Sequence, residues 1–218
     1  MTLDLFSPAD HAQPLRTERL GEQSMVLRGY ALAWVERLLP ELRAVLAAAP
    51  FRRMVTPGGF SMSVALSNCG ALGWTTDLGG YRYSPLDPRT GRAWPDLPAA
   101  MRELAVAAAA EAGFGDFDPD ACLVNRYLPG AKMALHQDRN ERDYRAPVVS
   151  VSLGLPAAFQ WGGLTRAERP LRVPLLHGDV MVWGGVDRLR FHGVLPLKEG
   201  SHPLMGAQRI NFTLRKAG

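Results

Sequence analysis

The sequence predicts an α+β domain that is mainly β, on three observations. From Ala121 onward the chain is a succession of eight short β-prone runs (ACLVNRY, KMALHQD, VVSVSLGL, AAFQWGG, LRVPLL, DVMVWGG, RFHGVL and RINFTLR) punctuated by glycine and proline. Runs recurring at roughly 8 to 12-residue intervals argue for an antiparallel sandwich or a double-stranded β-helix. Two helical patterns precede them and are expected to pack outside the sheets. The longest uninterrupted apolar run, near Leu104 to Ala110, is far shorter than the roughly 20 residues that span a bilayer, so no membrane crossing is expected.

Taken in order, residues 31–49 (ALAWVERLLPELRAVLAAA) have helical composition, and Pro40 is expected to kink or divide that helix. The stretch 56–95 is rich in glycine, proline and aromatic residues and reads as a short strand (SMSVALSN) followed by long loops or hairpins. Residues 98–112 form the second helical pattern, with Pro98 at a helix-start position and Gly113 just past the end. The eight β runs follow.

The 218 residues, 47% hydrophobic and 21% charged with 22 Gly and 17 Pro, suit one domain able to bury a full core, and exclude a disordered, collagen-like or coiled-coil chain. The N-terminus, MTLDLF, lacks the basic stretch and apolar run of a secretory signal. Cys69 and Cys122 are the only cysteines and are expected to be buried thiols in a reducing, cytoplasmic setting. No long exposed apolar face demands a partner, so a monomer is expected. The net charge of +4 is unevenly spread: −1 over residues 1–50, +3 over 51–102, −5 over 103–122 and +7 over 123–218. Two basic segments point to an anionic partner such as nucleic acid.

The sharpest chemical feature is His136-Gln137-Asp138 on or just after a strand. Residues two apart on a strand share a face, so an imidazole and a carboxylate stand side by side. With a second imidazole they would complete the 2-His-1-carboxylate facial triad of non-haem iron(II) oxygenases, which leaves positions open for substrates. A second H-x-D triplet, His177-Gly178-Asp179, falls between an apolar run and a strand and reads as a turn. For the distal ligand, His192 lies within the β run RFHGVL, whereas His202 lies in the loop GSHP, so His192 is the better candidate.

The final run, Arg209 to Arg215, alternates strictly. Arg209, Asn211, Thr213 and Arg215 share one face, and Ile210, Phe212 and Leu214 the other. Two arginines turned into a sandwich interior need anionic partners, and a dicarboxylate would serve both. The same alternation sets Asn125 and Tyr127 on one face of the run LVNRY, where an amide and a phenol could hydrogen-bond a carboxylate.

These strings (NRYLPGAKMALHQD, RAPVVSVSLGLPAAFQWGG, HGDVMVWGG, FHGV and RINFTLR, with FRRMVTPGGFSMSVALSNCGALGWTTD and YRYSPLDP upstream) resemble the AlkB family of iron(II)- and 2-oxoglutarate-dependent DNA and RNA dealkylases. The resemblance runs from about Leu3 to the C-terminus. It implies a jelly-roll, or double-stranded β-helix, core at 121–218, a supporting helix at 96–120, a nucleotide-recognition lid at 56–95, and an N-terminal extension with the first helix at 1–55. It implies His136, Asp138 and His192 as iron ligands, and Asn125, Tyr127, Arg209, Asn211 and Arg215 as the 2-oxoglutarate site. Which arginine takes which carboxylate stays open, with Arg209 preferred for the distal one.

The resemblance further implies that Trp74 stacks on the damaged base, that Tyr81 and Tyr83 belong to the lid, and that Arg166 faces the substrate. One departure stands out: where the family has an aspartate near the substrate base, this chain has Asn140, so weaker charge-based selection of cationic 1-methyladenine and 3-methylcytosine is expected. The implied reaction consumes O₂ and 2-oxoglutarate, yields succinate, CO₂ and formaldehyde, and repairs alkylation by direct reversal in single- or double-stranded DNA, with RNA left open. Arg52, Arg53, Lys132, Arg139 and Arg166 are candidate phosphate contacts. Two rivals are an oxygenase of the same architecture that hydroxylates a protein or small metabolite, and a non-catalytic β-sandwich that binds nucleic acid without iron.

Overall fold

A computed structural model describes residues 16–218; the part of the expected N-terminal extension before residue 16 lies outside the described residues. All eight β runs of the C-terminal half are strands: β6 (Ala121–Tyr127), β7 (Met133–His136), β8 (Val148–Gly154), β9 (Ala157–Trp161), β10 (Leu171–Leu175), β11 (Val180–Trp183), β12 (His192–Val194) and β13 (Arg209–Arg215). Upstream lie β1 (Arg16–Arg19), β2 (Ser24–Arg28), β3 (Ala65–Gly70) and the hairpin strands β4 (Gly73–Asp77) and β5 (Gly80–Ser84). The helices are α1 (Val35–Ala48) and α2 (Ala99–Glu111).

The strands form a seven-stranded sheet, ordered β1-β2-β11-β8-β13-β6-β3, a four-stranded sheet, ordered β10-β9-β12-β7, and the separate β4-β5 hairpin. Every pairing is antiparallel. β13 sits between β8 and β6 and is buried along its whole length. Its two faces part as alternation requires: Ile210, Phe212 and Leu214 join a core with Leu38, Leu42 and Val45 of α1 and Met101, Leu104 and Ala108 of α2. On the other face of the large sheet, Val26, Leu66, Leu123, Met181 and Trp183 meet Phe159, Trp161, Val173 and Val194 of the small sheet. The helices therefore cover one face and the small sheet faces the other, where the polar residues of β13 lie.

The structure adds to two expectations. Pro40 does not divide its helix, since α1 is continuous from Val35 to Ala48 with Pro40 inside it. Pro40 and Glu36 both lie on the exposed side, so the carbonyl that loses its hydrogen bond faces water while Leu38, Leu42 and Val45 anchor the helix on the sheet. The segment before α1 is also more than an extension: β2 pairs with β11 along Val180↔Leu27 to Trp183↔Ser24 and joins the large sheet. Where sequence and structure agree, α2 starts directly after Pro98 and is followed by Gly113 at φ +89°. Gly178, in the turn between β10 and β11, has φ +86°, a backbone that only glycine adopts without strain.

Candidate active site

β7 and β12 are antiparallel neighbours with His136 and His192 directly opposite, so residues distant in sequence come within side-chain reach through one ladder rung. Gly193 permits the close approach, because a Cβ there would stand 2.7 Å from the Met133 carbonyl oxygen. The imidazole centroids are 4.4 Å apart. Asp138, just beyond β7, closes the group: its Oδ1 lies 3.8 Å from His136 Nε2 and its Oδ2 3.8 Å from His192 Nε2. One donor atom from each residue falls within 4.8 Å of the other two. The remaining ring nitrogens are occupied, His136 Nδ1 against the Ala134 carbonyl at 2.9 Å and His192 Nδ1 against the Arg190 carbonyl at 3.0 Å. Each ring is thus fixed with Nε2 turned toward the shared centre, the orientation a metal requires.

Electrostatics keep His192 and Asp138 in the forms a cation needs. Burial first, then the neighbouring His136, pulls the His192 pKa down to about 3, leaving its lone pair free. Burial opposes the Asp138 charge, but Arg215 above all, helped by both histidines and Arg188, holds the carboxyl well below the usual range. Arg215 donates from Nε at 3.0 Å and Nη2 at 2.8 Å to Asp138 Oδ2, and Arg188 donates to the Asp138 backbone carbonyl at 2.8 Å. The anion beside Arg215 is therefore supplied by the protein.

Arg209 differs. It is 1% exposed, and its one side-chain hydrogen bond runs from Nη2 to Ser152 Oγ at 2.9 Å, while Nε and Nη1 have no partner. Burial pulls its pKa down, against the contribution of Tyr127, whose ring lies 5.1 Å from the guanidinium carbon. A buried cation with two idle donors is costly unless an anion fills the space before it. That space is a cavity of about 910 Å³ lined by His136, Asp138 and His192, by Asn125, Tyr127, Arg209, Asn211, Thr213 and Arg215, and by Trp74, Tyr81, Asn140 and Arg166. Asn211 is saturated: its amide donates to Ser150 Oγ and the Val151 carbonyl, and its oxygen accepts from Asn125 and Thr213. Asn125 Oδ1 has no partner, and the Tyr127 hydroxyl reaches only the Met133 sulfur at 3.9 Å.

The mouth is walled by the β4-β5 hairpin. Asn68 brackets the Trp74 backbone, accepting from its N–H and donating to its carbonyl, each at 3.0 Å. Trp74 stacks on Tyr81 at 5.6 Å and 21°, and its indole Nε1 donates to Asn140 Oδ1 at 3.2 Å. Tyr83 turns away from the cavity: its hydroxyl donates to Glu141 at 2.8 Å. Lys132, Arg139 and Arg166 line the cavity and are exposed, and Arg53 is exposed in the segment before β3. Arg52 is engaged elsewhere, paired with Asp87 and lying over Trp94, so it is not free for a phosphate. His177 and Asp179 stand at the β10-β11 turn, where Asp179 pairs with Arg28 at 2.6 Å.

Sequence reasoning passed over Glu141 and Arg188. Their side chains are each 2% exposed and 3.2 Å apart, and Glu141 also lies 3.4 Å from Arg215. No local pattern marks a lone glutamate after Asp138 as buried; only its three partners, far off in sequence, make it so.

The sandwiched antiparallel sheets with a converging two-histidine, one-carboxylate cluster define a non-haem iron oxygenase, and the chain belongs to the 2OG-Fe(II) oxygenase superfamily, which it matches over residues 25–215. Iron(II) and 2-oxoglutarate, with O₂, are accordingly its cofactor and cosubstrates. More particularly, it is 54% identical over 216 residues to the alpha-ketoglutarate-dependent dioxygenase AlkB of Escherichia coli, covering 99% of this chain and 98% of that protein. It is 47% identical over 180 residues to the AlkB homologue of Caulobacter vibrioides, covering 81% and 80%. Among solved structures, that titled "The structure of OsALKBH1" superposes with a TM-score of 0.79 at 24% identity over 92% of this chain and all of that one, a likeness of fold. The residues present fit the family's groups: the triad offers three converging donors, and the idle donors of Arg209 await a carboxylate.

Proposed function

We propose that this protein oxidatively removes methyl and related alkyl groups from damaged bases in nucleic acid, repairing DNA by direct reversal. The observation that carries this reading is one cavity holding three kinds of feature: the His136-Asp138-His192 cluster, the unpartnered buried Arg209, and the Trp74-Tyr81 wall. The facing sheets are read as a double-stranded β-helix, with 121–218 as its core, 96–120 as the supporting helix, and 56–95 as a lid over the substrate.

His136, Asp138 and His192 would hold iron(II), which with 2-oxoglutarate and O₂ supplies the oxidising power that ends in succinate, CO₂ and loss of the methyl group as formaldehyde. The chain's own residues do the positioning. Arg209 receives the distal carboxylate of 2-oxoglutarate, with Tyr127 beside it and Asn125 and Asn211 lining the approach. Arg215 holds Asp138 ionised and aimed at the metal position. A methyl group inside a stacked duplex cannot reach a buried centre, so the base must leave the stack. Trp74, braced by Asn68 and Tyr81, offers it a stacking surface. The cations at the mouth, Lys132, Arg139 and Arg166, hold flanking phosphates.

The test is formaldehyde release from methylated oligonucleotides by the iron-loaded protein, with succinate measured in parallel. Formaldehyde in step with succinate is the expected result; succinate alone, unaffected by oligonucleotide, overturns the nucleic-acid assignment. Trp74→Ala is expected to weaken oligonucleotide binding by about 1–3 kcal/mol, the usual worth of one base-aromatic stack. Its 2-oxoglutarate turnover without nucleic acid should change less. Equal loss of both would remove the stacking role.

A further inference from the structure

The β4-β5 hairpin pairs with no strand of either sheet, and a two-stranded ribbon on its own is marginal in water. One cross-strand pair ties it to the metal side of the cavity. Trp74 and Tyr83 lie directly opposite each other, and directly opposed residues share a face. Their polar ends reach consecutive residues of the segment after β7: the Trp74 indole donates to Asn140 at 3.2 Å and the Tyr83 hydroxyl to Glu141 at 2.8 Å. Asp138, the carboxylate of the triad, stands two residues before Asn140. The stacking wall and a metal-ligand position therefore hang on one short piece of chain.

Glu141 is the joint between them. It is buried, yet among the described residues its carboxylate accepts one hydrogen bond, the one from Tyr83 to Oε1, and Oε2 accepts none. That Oε1 also lies 3.4 Å from Arg215 Nε, and the same Nε donates to Asp138 Oδ2 at 3.0 Å. One guanidinium nitrogen stands between two carboxylates, and Tyr83 decides which of them holds it. With the hydroxyl in place, Glu141 Oε1 is satisfied and Arg215 stays on Asp138. Without it, a buried carboxylate oxygen is short of a donor, a costly state, and the Arg215 N–H within reach is the one that holds Asp138. Arg188 spans the same pair, donating to the Asp138 backbone carbonyl at 2.8 Å and facing Glu141 Oε2 at 3.2 Å. Burial pushes the Tyr83 phenol pKa up, so its hydroxyl keeps the proton it donates.

We propose that Tyr83 and Glu141 are positioning residues that tie the aim of the Asp138 carboxylate to the seating of the β4-β5 hairpin, so that a base stacked on Trp74 is felt at the metal position. The inference rests on the nucleic-acid reading above and adds a regulation to it. A ligand shifts a pair of arrangements only by contacting one of them better, and Trp74 is that contact. A hairpin pressed home by a base holds Tyr83 on Glu141 and leaves both Arg215 donors on Asp138. A hairpin lifted away lets Glu141 draw Arg215 aside and turns Asp138 Oδ2 loose beside the metal position. Consumption of 2-oxoglutarate is thereby kept in step with the presence of substrate.

Tyr83→Phe deletes one hydroxyl and leaves Trp74, Tyr81 and the cations of the mouth in place. With iron(II)- and 2-oxoglutarate-loaded protein and an oligonucleotide carrying 1-methyladenine, three quantities are read. These are oligonucleotide affinity, succinate formed per formaldehyde released, and, without air, the visible absorption of the bound iron and 2-oxoglutarate before and after the oligonucleotide is added. In Tyr83→Phe, affinity is expected to stay within about twofold of wild type, while succinate per formaldehyde rises about fivefold, as loss of one hydrogen bond allows. The absorption should respond to the oligonucleotide in the wild type and not in the variant. A ratio and an absorption response that both match wild type overturn the inference and leave the dealkylase reading intact. Loss of affinity and formaldehyde together at an unchanged ratio does the same, since that is how a merely structural tyrosine behaves. In a Glu141→Gln background, Tyr83→Phe should move the ratio no further; a second fivefold rise overturns the route through Glu141. No formaldehyde from the wild type, with succinate unaffected by oligonucleotide, overturns the nucleic-acid reading and this inference with it.

Discussion

At Arg209 a single side chain carries opposite consequences for the empty and the filled site. Its Nε and Nη1 have no partner and it is 1% exposed, so with nothing bound it is a charge removed from water without compensation. Arg209→Met keeps the bulk of the side chain and deletes the charge. The expected outcome is a ligand-free protein that melts a few degrees higher, about 2–4 °C per kcal/mol for a domain of this size. Half-saturation by 2-oxoglutarate should rise about 10- to 150-fold, the worth of hydrogen bonds to a charged group. Calorimetry and a 2-oxoglutarate titration of the same variant check both directions, and a variant that loses stability and affinity together would contradict the account. The alternation of the last run made Arg209 and Arg215 legible as inward-facing. Their different partners were not legible, because the carboxylate that satisfies Arg215 lies 77 residues away in Asp138.

Among the elements, β13 and the β4-β5 hairpin do different work. Strict alternation, with Ile210, Phe212 and Leu214 against the helices and the polar residues against the cavity, is a period-2 signal that one strand displays whole. The eight runs of the C-terminal half were legible as β-prone stretches set off by glycine and proline. β2 was not: its SMVLR run is held between β1 and β11, and the second of these lies far away in sequence. That α1 runs on through Pro40 undivided was not legible, because the exposure of its helix face is a tertiary property. The hairpin is tied to the sheets by Tyr83, whose hydroxyl donates to Glu141, and Glu141 in turn faces Arg188 and Arg215. Glu141→Gln retains a hydrogen-bonding oxygen and removes the anion between two buried guanidinium groups. It is expected to destabilise the protein by about 3 kcal/mol, as breaking a buried pair does. Urea denaturation reads this as a lower midpoint with unchanged slope. An effect within about 0.5 kcal/mol, the range of ordinary surface substitutions, would show that the network is not holding the structure.

For the whole molecule, site and fold are linked because the cavity draws its side chains from both sheets: His136 and His192 from the small sheet, Arg209 and Arg215 from the large one. Whatever binds between them and not to the unfolded chain must stabilise the sandwich. Manganese(II), as an inert stand-in for iron, together with 2-oxoglutarate at a hundredfold excess over the dissociation constant should add about 2.7 kcal/mol. The corresponding upward shift of the melting temperature should vanish in Asp138→Ala, and its persistence there would locate metal binding elsewhere. The place of β13 has one more consequence. It is made after both β7 and β12, yet it lies in the middle of the large sheet and lines the cavity with Arg209, Asn211, Thr213 and Arg215. On the function proposed above, a nascent chain that ends before β13 carries both histidines without Arg209, and is expected to take a metal without binding the keto acid beside it. That order of synthesis would tie the capacity to generate an oxidant to closure of the sheet that surrounds it.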